Sequence, residues 1–231
     1  MMKTITYMKI RHHSIFKSLE SDNIDWNIIR NDPQEKDYYI PTEKNKYIED
    51  ANTEKMKMLS NEILNYLKRL NIKSVFSLGS GRCYVEYHLK QSQINVIVSD
   101  SDDSINRIKE FKIFDNVYNL NFEKIMSKTI NFNGLILLSR IDTEIDDFAL
   151  KELFNNLAAN NVNYIYFIPA QLLTVRSFLI EIYIRLKSLV FRKKLIFCGF
   201  SRSEKLFNNI WKKHYKILYK SDAKNFLLAL K

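Results

Sequence analysis

The feature that most constrains the fold is an alternation of short apolar runs with helix-like runs from residue 74 onward. Strand-like runs occupy residues 74–78, 95–99, 116–120, 134–139 and 163–168, and helical patterns occupy 82–90, 103–111 and 148–159. Strands and helices that alternate in this way form parallel sheets, because each helix carries the chain back across one face of the sheet. The sequence therefore predicts an α/β fold with helices on both faces of the sheet.

The C-terminus departs from this alternation. Two further strand-like runs, 215–219 and 225–230, are separated only by residues 220–224. A connection this short cannot hold a crossover helix, so these two strands must be antiparallel. We therefore predict a seven-stranded, mostly parallel sheet that ends in a C-terminal antiparallel hairpin.

The N-terminal part of the chain has a different character. Residues 1–51 lack sustained periodicity but contain several aromatic residues, among them Trp26, Tyr38 and Tyr47. We interpret them as an N-terminal cap segment that folds against the main domain, which occupies residues 52–231. A chain of 231 residues suits one main domain with such an appendage.

One segment of the main domain, residues 171–191, is apolar and nearly long enough to cross a membrane. Its polar residues recur at helical spacing and form one narrow stripe, which consists of Thr174, Ser177, Glu181, Arg185 and Ser188. A membrane-spanning helix rarely carries four charged residues, and this segment has Arg176, Glu181, Arg185 and Lys187. We predict a helical insertion that packs on the core or closes a pocket, with no transmembrane segment; weak contact with a membrane surface is the alternative.

Charge and cysteine content limit the classes of partner and compartment. The net charge of +10 would suit nucleic acid or another anionic partner, but the lysines are scattered, as on solvated helix faces. The pattern therefore argues against nucleic acid. Cys83 and Cys198 form no CxxC motif and no secretory leader is evident, so we expect a reduced, cytoplasmic protein. His88 and His214 lack partners at metal-ligand spacing, and no metal site is predicted.

A glycine-containing loop follows the first strand of the alternation. The chain has only four glycines, and two of them, Gly79 and Gly81, lie in this loop. Ligands of open α/β sheets bind beyond the carboxyl ends of the strands, where glycine lets the backbone approach them. The helix N-terminus that follows favours an electronegative group. A plain tight turn would use the same glycines, so the neighbouring residues decide between the two interpretations.

The second strand ends at Asp100, 19 residues after Gly81. A carboxylate at this position can accept hydrogen bonds from both hydroxyls of a ribose. The alternative is that Asp100 caps the next helix, but Ser101 and Asp102 can also do so. A dinucleotide site would need a third glycine where this chain has Tyr84.

With the C-terminal hairpin, these motifs make residues 75–231, roughly two thirds of the chain, similar to class I S-adenosylmethionine (SAM)-dependent methyltransferases. The resemblance implies SAM as cofactor and S-adenosylhomocysteine (SAH) as product. It assigns the glycine loop, the ribose acid, the adenine contact and a position beside the methyl donor to Leu78, Gly79, Ser80, Gly81, Asp100, Ser101, Asn121, Phe122 and Ser139. Two positions depart from the family pattern: Ser77 replaces an acidic residue and Cys83 replaces a glycine.

The end of the fourth strand bears on the reaction. It lacks the Asn/Asp-Pro-Pro-Tyr run with which related enzymes hold amino groups of bases or of glutamine. We therefore expect O- or N-methylation of a small-molecule acceptor, with Asp142 as the candidate base. Arg140 and Arg202 are candidate substrate contacts, suited to an anionic acceptor. For Arg202 the alternative is that it merely adjoins a helix cap formed by Ser201 or Ser203.

Two other functional classes compete with this hypothesis. A methyltransferase-like binding or scaffold protein without catalytic activity would explain the departures at Ser77 and Cys83 and the shortage of a clear base. A basic RNA-binding or RNA-modifying protein would explain the net charge, and its RNA affinity would fall steeply with salt.

Overall fold

The computed structural model describes residues 9–14, 25–100, 103–120, 124, 132–192 and 195–231. The strands are β1 (Lys9–Ser14), β2 (Ser74–Leu78), β3 (Asn95–Asp100), β4 (Asn116–Asn119), β5 (Leu135–Ser139), β6 (Tyr164–Ile168), β7 (Ile196–Arg202), β8 (Tyr215–Lys220) and β9 (Phe226–Leu230). The α-helices are α1 (Trp26–Asn31), α2 (Lys44–Ala51), α3 (Glu54–Arg69), α4 (Tyr84–Gln91), α5 (Ser104–Glu110), α6 (Asp147–Ala159), α7 (Val175–Val190) and α8 (Glu204–Trp211).

The main sheet has seven strands in the order β4-β3-β2-β5-β6-β9-β8. Strands β2 to β6 pair in parallel, and β9 pairs antiparallel with both β6 and β8. The predicted α/β class, the seven strands and the antiparallel C-terminal hairpin are all confirmed. The strand order reverses between β2 and β5, so a crevice opens at the carboxyl ends of β2 and its neighbours, where ligands of such sheets bind.

Alternate residues of the central strands supply two cores, one on each face of the sheet. In β5, Leu135 and Leu137 pack with residues of α3, α4 and α5. Ile136 and Leu138 pack on the other face with residues of α6 and α8. All four side chains are fully buried, which explains why this strand is a continuous apolar run.

A second, two-stranded sheet was not predicted. Strands β1 and β7 pair antiparallel outside the main sheet. Gly199 in β7 has φ of +113°, and a Cβ atom there would lie 2.1 Å from the carbonyl oxygen of Thr143. Strand β7 therefore packs closely against the short 3-10 helix Ile141–Thr143, which follows β5.

Helix α7 lies within the segment predicted as a helical insertion. The stripe of polar residues faces the protein, with Ser177, Glu181 and Ser188 buried, whereas most apolar side chains of the helix are exposed. This orientation is opposite to that of a helix that covers a core with its apolar side. In the described part of the chain, no helix is long and apolar enough to cross a membrane.

Candidate functional site

The predicted glycine loop connects β2 to α4 at the reversal of strand order. Gly79 and Gly81 have φ of +68° and +57°, which favour glycine. A Cβ atom on Gly79 would lie 2.4 Å from Cγ2 of Ile141, which comes from the turn after β5. Any larger residue at position 79 would therefore push that turn away from the loop.

The loop closes at Cys83, where the resemblance to methyltransferases would place a glycine. Cys83 adopts the left-handed conformation that glycine favours, with φ of +56°. The thiol is buried, and Sγ lies 3.2 Å from Oγ of Ser80. The hydroxyl of Tyr47, in α2, donates a hydrogen bond to the carbonyl oxygen of Arg82 at 2.9 Å and holds the loop from outside.

Asp100 ends strand β3 beside this loop and is 5% exposed. Its Oδ2 atom accepts a hydrogen bond from the backbone N–H of Gly81 at 2.6 Å. The N-cap residue of α5 is Asp103 rather than Asp100. The carboxylate of Asp100 is thus directed at the glycine loop, as an acid that binds a ligand there would be.

A second partner of Asp100 comes from α1, in the segment predicted to form an N-terminal cap. Nη1 of Arg30, in α1, lies 3.3 Å from Oδ1, and Nη2 lies 3.4 Å from Oδ2. The same guanidinium lies 5.5 Å from the centroid of the Trp26 ring. No sequence pattern pointed to Arg30, because it is far from Asp100 along the chain and its neighbours show no motif.

A cavity of about 230 Å³ opens beside these residues. It brings together the predicted site residues Leu78, Gly79, Ser80, Gly81, Asp100, Ser139 and Arg140. Trp26, Arg30 and Tyr38 of the N-terminal cap also line it. Three further predicted contacts, Ser101, Asn121 and Phe122, lie outside the described residues.

Glu86 lines the same cavity and was not among the predicted residues. It is 2% exposed, and its Oε1 accepts a hydrogen bond from the hydroxyl of Ser77 at 2.6 Å. Burial raises its pKa to about 7, and the bond from Ser77 acts in the opposite direction. A carboxylate from α4 therefore stands beside the position where Ser77 replaces the acidic residue of the family pattern.

A further acidic side chain, Glu144, lines the cavity at the turn after β5. Desolvation raises its pKa above the ordinary value, the negative charge of Asp100 adds to this effect, and Arg30 and a hydrogen bond with Trp26 oppose it. Glu144 remains exposed at the mouth of the cavity, so water screens part of this shift.

Asp142, the predicted base, does not line the cavity. It is fully buried, and its Oδ1 accepts a hydrogen bond from the backbone N–H of Ala170 at 2.9 Å. Burial raises its pKa to about 6. The assignment of Asp142 as a base is therefore corrected, because the 3-10 helix at 141–143 turns this carboxylate away from the cavity while Glu144 faces it.

Arg202, a predicted substrate contact, is also placed differently. It is fully buried at the end of β7, with Nε 2.6 Å from Oδ1 of Asp147 and Nη2 2.6 Å from the carbonyl oxygen of Ile145. A third bond runs from Nη1 to the carbonyl oxygen of Asp142. These contacts correct the prediction: Arg202 ties the segment after β5 to β7 and does not line the cavity.

Comparison with known proteins identifies the fold. No family model matches the chain, and no curated protein matches it in sequence. Among solved structures it is similar to the PH0226 protein from Pyrococcus horikoshii, with a TM-score of 0.58 and 13% identity over 79% of this chain and 94% of that one.

Two structures of named methyltransferases are similarly related. Magnesium protoporphyrin IX methyltransferase from Synechocystis, with bound SAH, gives a TM-score of 0.56 and 8% identity over 75% of this chain and 82% of that one. The mitomycin 7-O-methyltransferase gives a TM-score of 0.59 and 12% identity over 89% of this chain. The match covers only 60% of that protein. The chain therefore has the fold of the class I methyltransferases.

Proposed function

We propose that the chain is a SAM-dependent methyltransferase that methylates an oxygen or nitrogen of a small molecule. The observation that carries this proposal is the position of Asp100. Its carboxylate lies beside the Gly79–Gly81 loop, at the carboxyl ends of β2 and β3 and on the wall of a cavity. Structural neighbours that bind SAM or SAH support the same cofactor.

The residues of the cavity suit SAM. Its ribose hydroxyls and the ammonium group of its methionine part are hydrogen-bond donors, and two buried carboxylates, Asp100 and Glu86, face the cavity that would hold them. The nearest atom to a Cβ atom placed on Gly81 would be Nη2 of Arg30 at 3.7 Å, so the loop is uncrowded beside Gly81, whereas Ile141 fills the space beside Gly79. When bound, SAM supplies an electrophilic methyl group on a sulfonium sulfur.

The acceptor end of the cavity is formed by the turn after β5 and the N-terminal cap. Glu144, with its raised pKa, is the group we propose to take the proton of an acceptor hydroxyl or amine. Arg140, whose guanidinium lies 5.9 Å from the centroid of the Tyr38 ring, would bind an anionic part of the acceptor. Trp26 and Tyr38 supply flat apolar walls on the same side.

The cavity is small, and this places a condition on how the cofactor could bind. At about 230 Å³ it is smaller than typical ligand sites, which measure roughly 300–1,000 Å³. Arg30 lies on Asp100, where the ribose would bind. We propose that Arg30 leaves Asp100 when the cofactor enters.

The chief rival is a binding or scaffold protein with a methyltransferase fold. The Arg30–Asp100 pair favours this rival, because it satisfies the ribose acid from within the protein. A titration separates the two functions: isothermal calorimetry of the full chain with SAM and with SAH, on the wild type and on Arg30→Ala. The enzyme hypothesis expects both ligands to bind.

Asp100→Asn should weaken binding of both ligands, whereas Asp103→Asn, a change at a nearby exposed acid, should not. Absence of binding to wild type and Arg30→Ala at about millimolar ligand would leave the scaffold hypothesis.

A further inference from the structure

Helix α7 carries its polar residues toward the protein and its apolar residues toward solvent. The buried side chains are Ser177, Glu181 and Ser188. At about 100° per residue, the opposite side of the helix carries a continuous apolar surface. This surface, called the α7 face below, consists of Val175, Leu179, Ile182, Tyr183, Leu186, Leu189, Val190 and the following Phe191, which are 37–77% exposed.

The charges around the α7 face have one sign. Arg176 and Lys187 are exposed along one border of the face, and Arg185 lies on the other border. The one acidic residue of the helix, Glu181, is buried and accepts a hydrogen bond from Nε of Arg185 at 2.8 Å. Arg192 follows as a further exposed cation. The outward side of α7 therefore offers apolar and basic groups only.

The apolar and basic groups of the α7 face together indicate which kind of partner fits it. A second copy of the chain would bring its own Arg176, Lys187 and Arg192 toward the same cations, and like charges oppose such pairing. An anionic bilayer surface offers acyl chains to the apolar groups and phosphate to Arg176 and Lys187 along their border of the face.

We propose that the α7 face is a docking surface for an anionic phospholipid bilayer, with the helix lying in the plane of the headgroups. A helix that lies in the interface needs an apolar side flanked by basic residues, and α7 has both. At 16 residues, about 24 Å of helix, it lies on a bilayer and does not cross it. This inference is independent of the proposed methyl transfer, because no described residue of α7 lines the cavity.

Co-sedimentation with vesicles tests the proposal on the full chain. We expect binding to vesicles of phosphatidylcholine mixed with phosphatidylglycerol, weak binding to phosphatidylcholine alone, and a loss of binding as sodium chloride is raised. The double variant Leu179→Asp/Leu186→Asp should bind at least about tenfold more weakly, because it removes two leucines from the buried surface. Arg176→Glu/Lys187→Glu should lose the preference for phosphatidylglycerol.

Phe148→Asp is the matched control. Phe148 is an exposed apolar residue of α6, 74% accessible, and lies outside the α7 face, so its replacement should leave vesicle binding unchanged. Melting curves by circular dichroism show whether each variant folds. Equal binding to both kinds of vesicle, or binding to neither, would overturn the proposal.

Sedimentation velocity without lipid distinguishes a bilayer from a second copy of the chain as the partner of the α7 face. A wild-type dimer that Leu186→Asp converts to a monomer would show that a second copy covers the α7 face, and would also overturn the proposal. A monomer in both cases supports the bilayer as partner.

Discussion

The guanidinium of Arg30 lies against both carboxylate oxygens of Asp100, at 3.3 and 3.4 Å, and joins helix α1 to the end of strand β3. The side chains are only 11% and 6% exposed, so little water screens the pair. Asp100 also accepts the N–H of Gly81, so the pair links the N-terminal cap to the glycine loop. If SAM displaces Arg30 from Asp100, as we propose, its binding will be coupled to the position of α1.

Removal of Arg30 should therefore favour the cofactor. In Arg30→Ala the carboxylate of Asp100 no longer contacts a guanidinium that would compete with a ligand, and we expect SAM to bind about tenfold more tightly, or about 1.4 kcal/mol. The free energy of unfolding should fall by about 1–3 kcal/mol, because the buried carboxylate of Asp100 loses one of its partners. Calorimetry and urea unfolding measure the two effects. Arg69→Ala, at an exposed position of α3, should change neither; an unaltered SAM affinity in Arg30→Ala would refute the competition.

Replacement of Asp100 should weaken SAM binding, in contrast to replacement of Arg30. Asp100→Ala removes the acceptor of the ribose hydroxyls and should weaken SAM binding by about 2–4 kcal/mol. It also breaks the pair with Arg30, so stability should fall as well. A double-mutant cycle with Arg30→Ala measures the coupling of the two side chains in the free protein. Purely additive effects on stability would mean that the pair contributes nothing.

The buried carboxyl group of Glu86 should make stability depend on pH. Its pKa is about 7 in the folded protein and 4.5 as the ordinary value, so the folded state retains a proton that the unfolded chain releases. The free energy of unfolding should therefore fall as pH rises from about 4.5 to 7.

Glu86→Gln removes this fall. Urea unfolding should show the variant more stable than the wild type by about 2–3 kcal/mol at pH 8, and little changed at pH 4. The same variant should bind SAM more weakly, because a neutral amide replaces the carboxylate that we propose for the ammonium group. Glu110→Gln, at an exposed position, serves as control. A variant that is no more stable at pH 8 than the wild type would contradict the raised pKa.

The features that could be predicted from the sequence are those that local patterns specify. The central strands of the main sheet, such as β5, are apolar runs, and the turn between β8 and β9 is too short for any arrangement except a hairpin. The carboxyl ends of parallel strands meet at one edge, so the sequence predicts that Gly81 and Asp100 lie close together.

The features that were missed depend on contacts distant in sequence. Arg30 reaches Asp100 from the N-terminal cap, and β1 pairs with β7, although neither segment shows a motif of its own. Asp142 and Glu144 are two residues apart, so spacing alone could not tell which of them a 3-10 helix would direct into the cavity. For Arg202, the sequence offered a cation beside a helix cap and no sign of the carbonyl groups that surround it.

Replacement of Arg202 tests whether this residue has a structural role and not a role in substrate binding. Its fully buried guanidinium donates to Asp147, whose side chain is 37% exposed, and to carbonyl oxygens of the segment after β5. Arg202→Met keeps most of the side-chain volume but removes the donor to the carbonyl oxygens of Asp142 and Ile145 and the charge beside Asp147, and we expect the free energy of unfolding to fall by about 3–5 kcal/mol. Lys216→Met, at an exposed position of β8, should change stability by less than about 0.5 kcal/mol. Thermal and urea unfolding of both variants measure the difference. If Arg202 served a substrate instead, its replacement would leave the melting temperature close to that of the wild type.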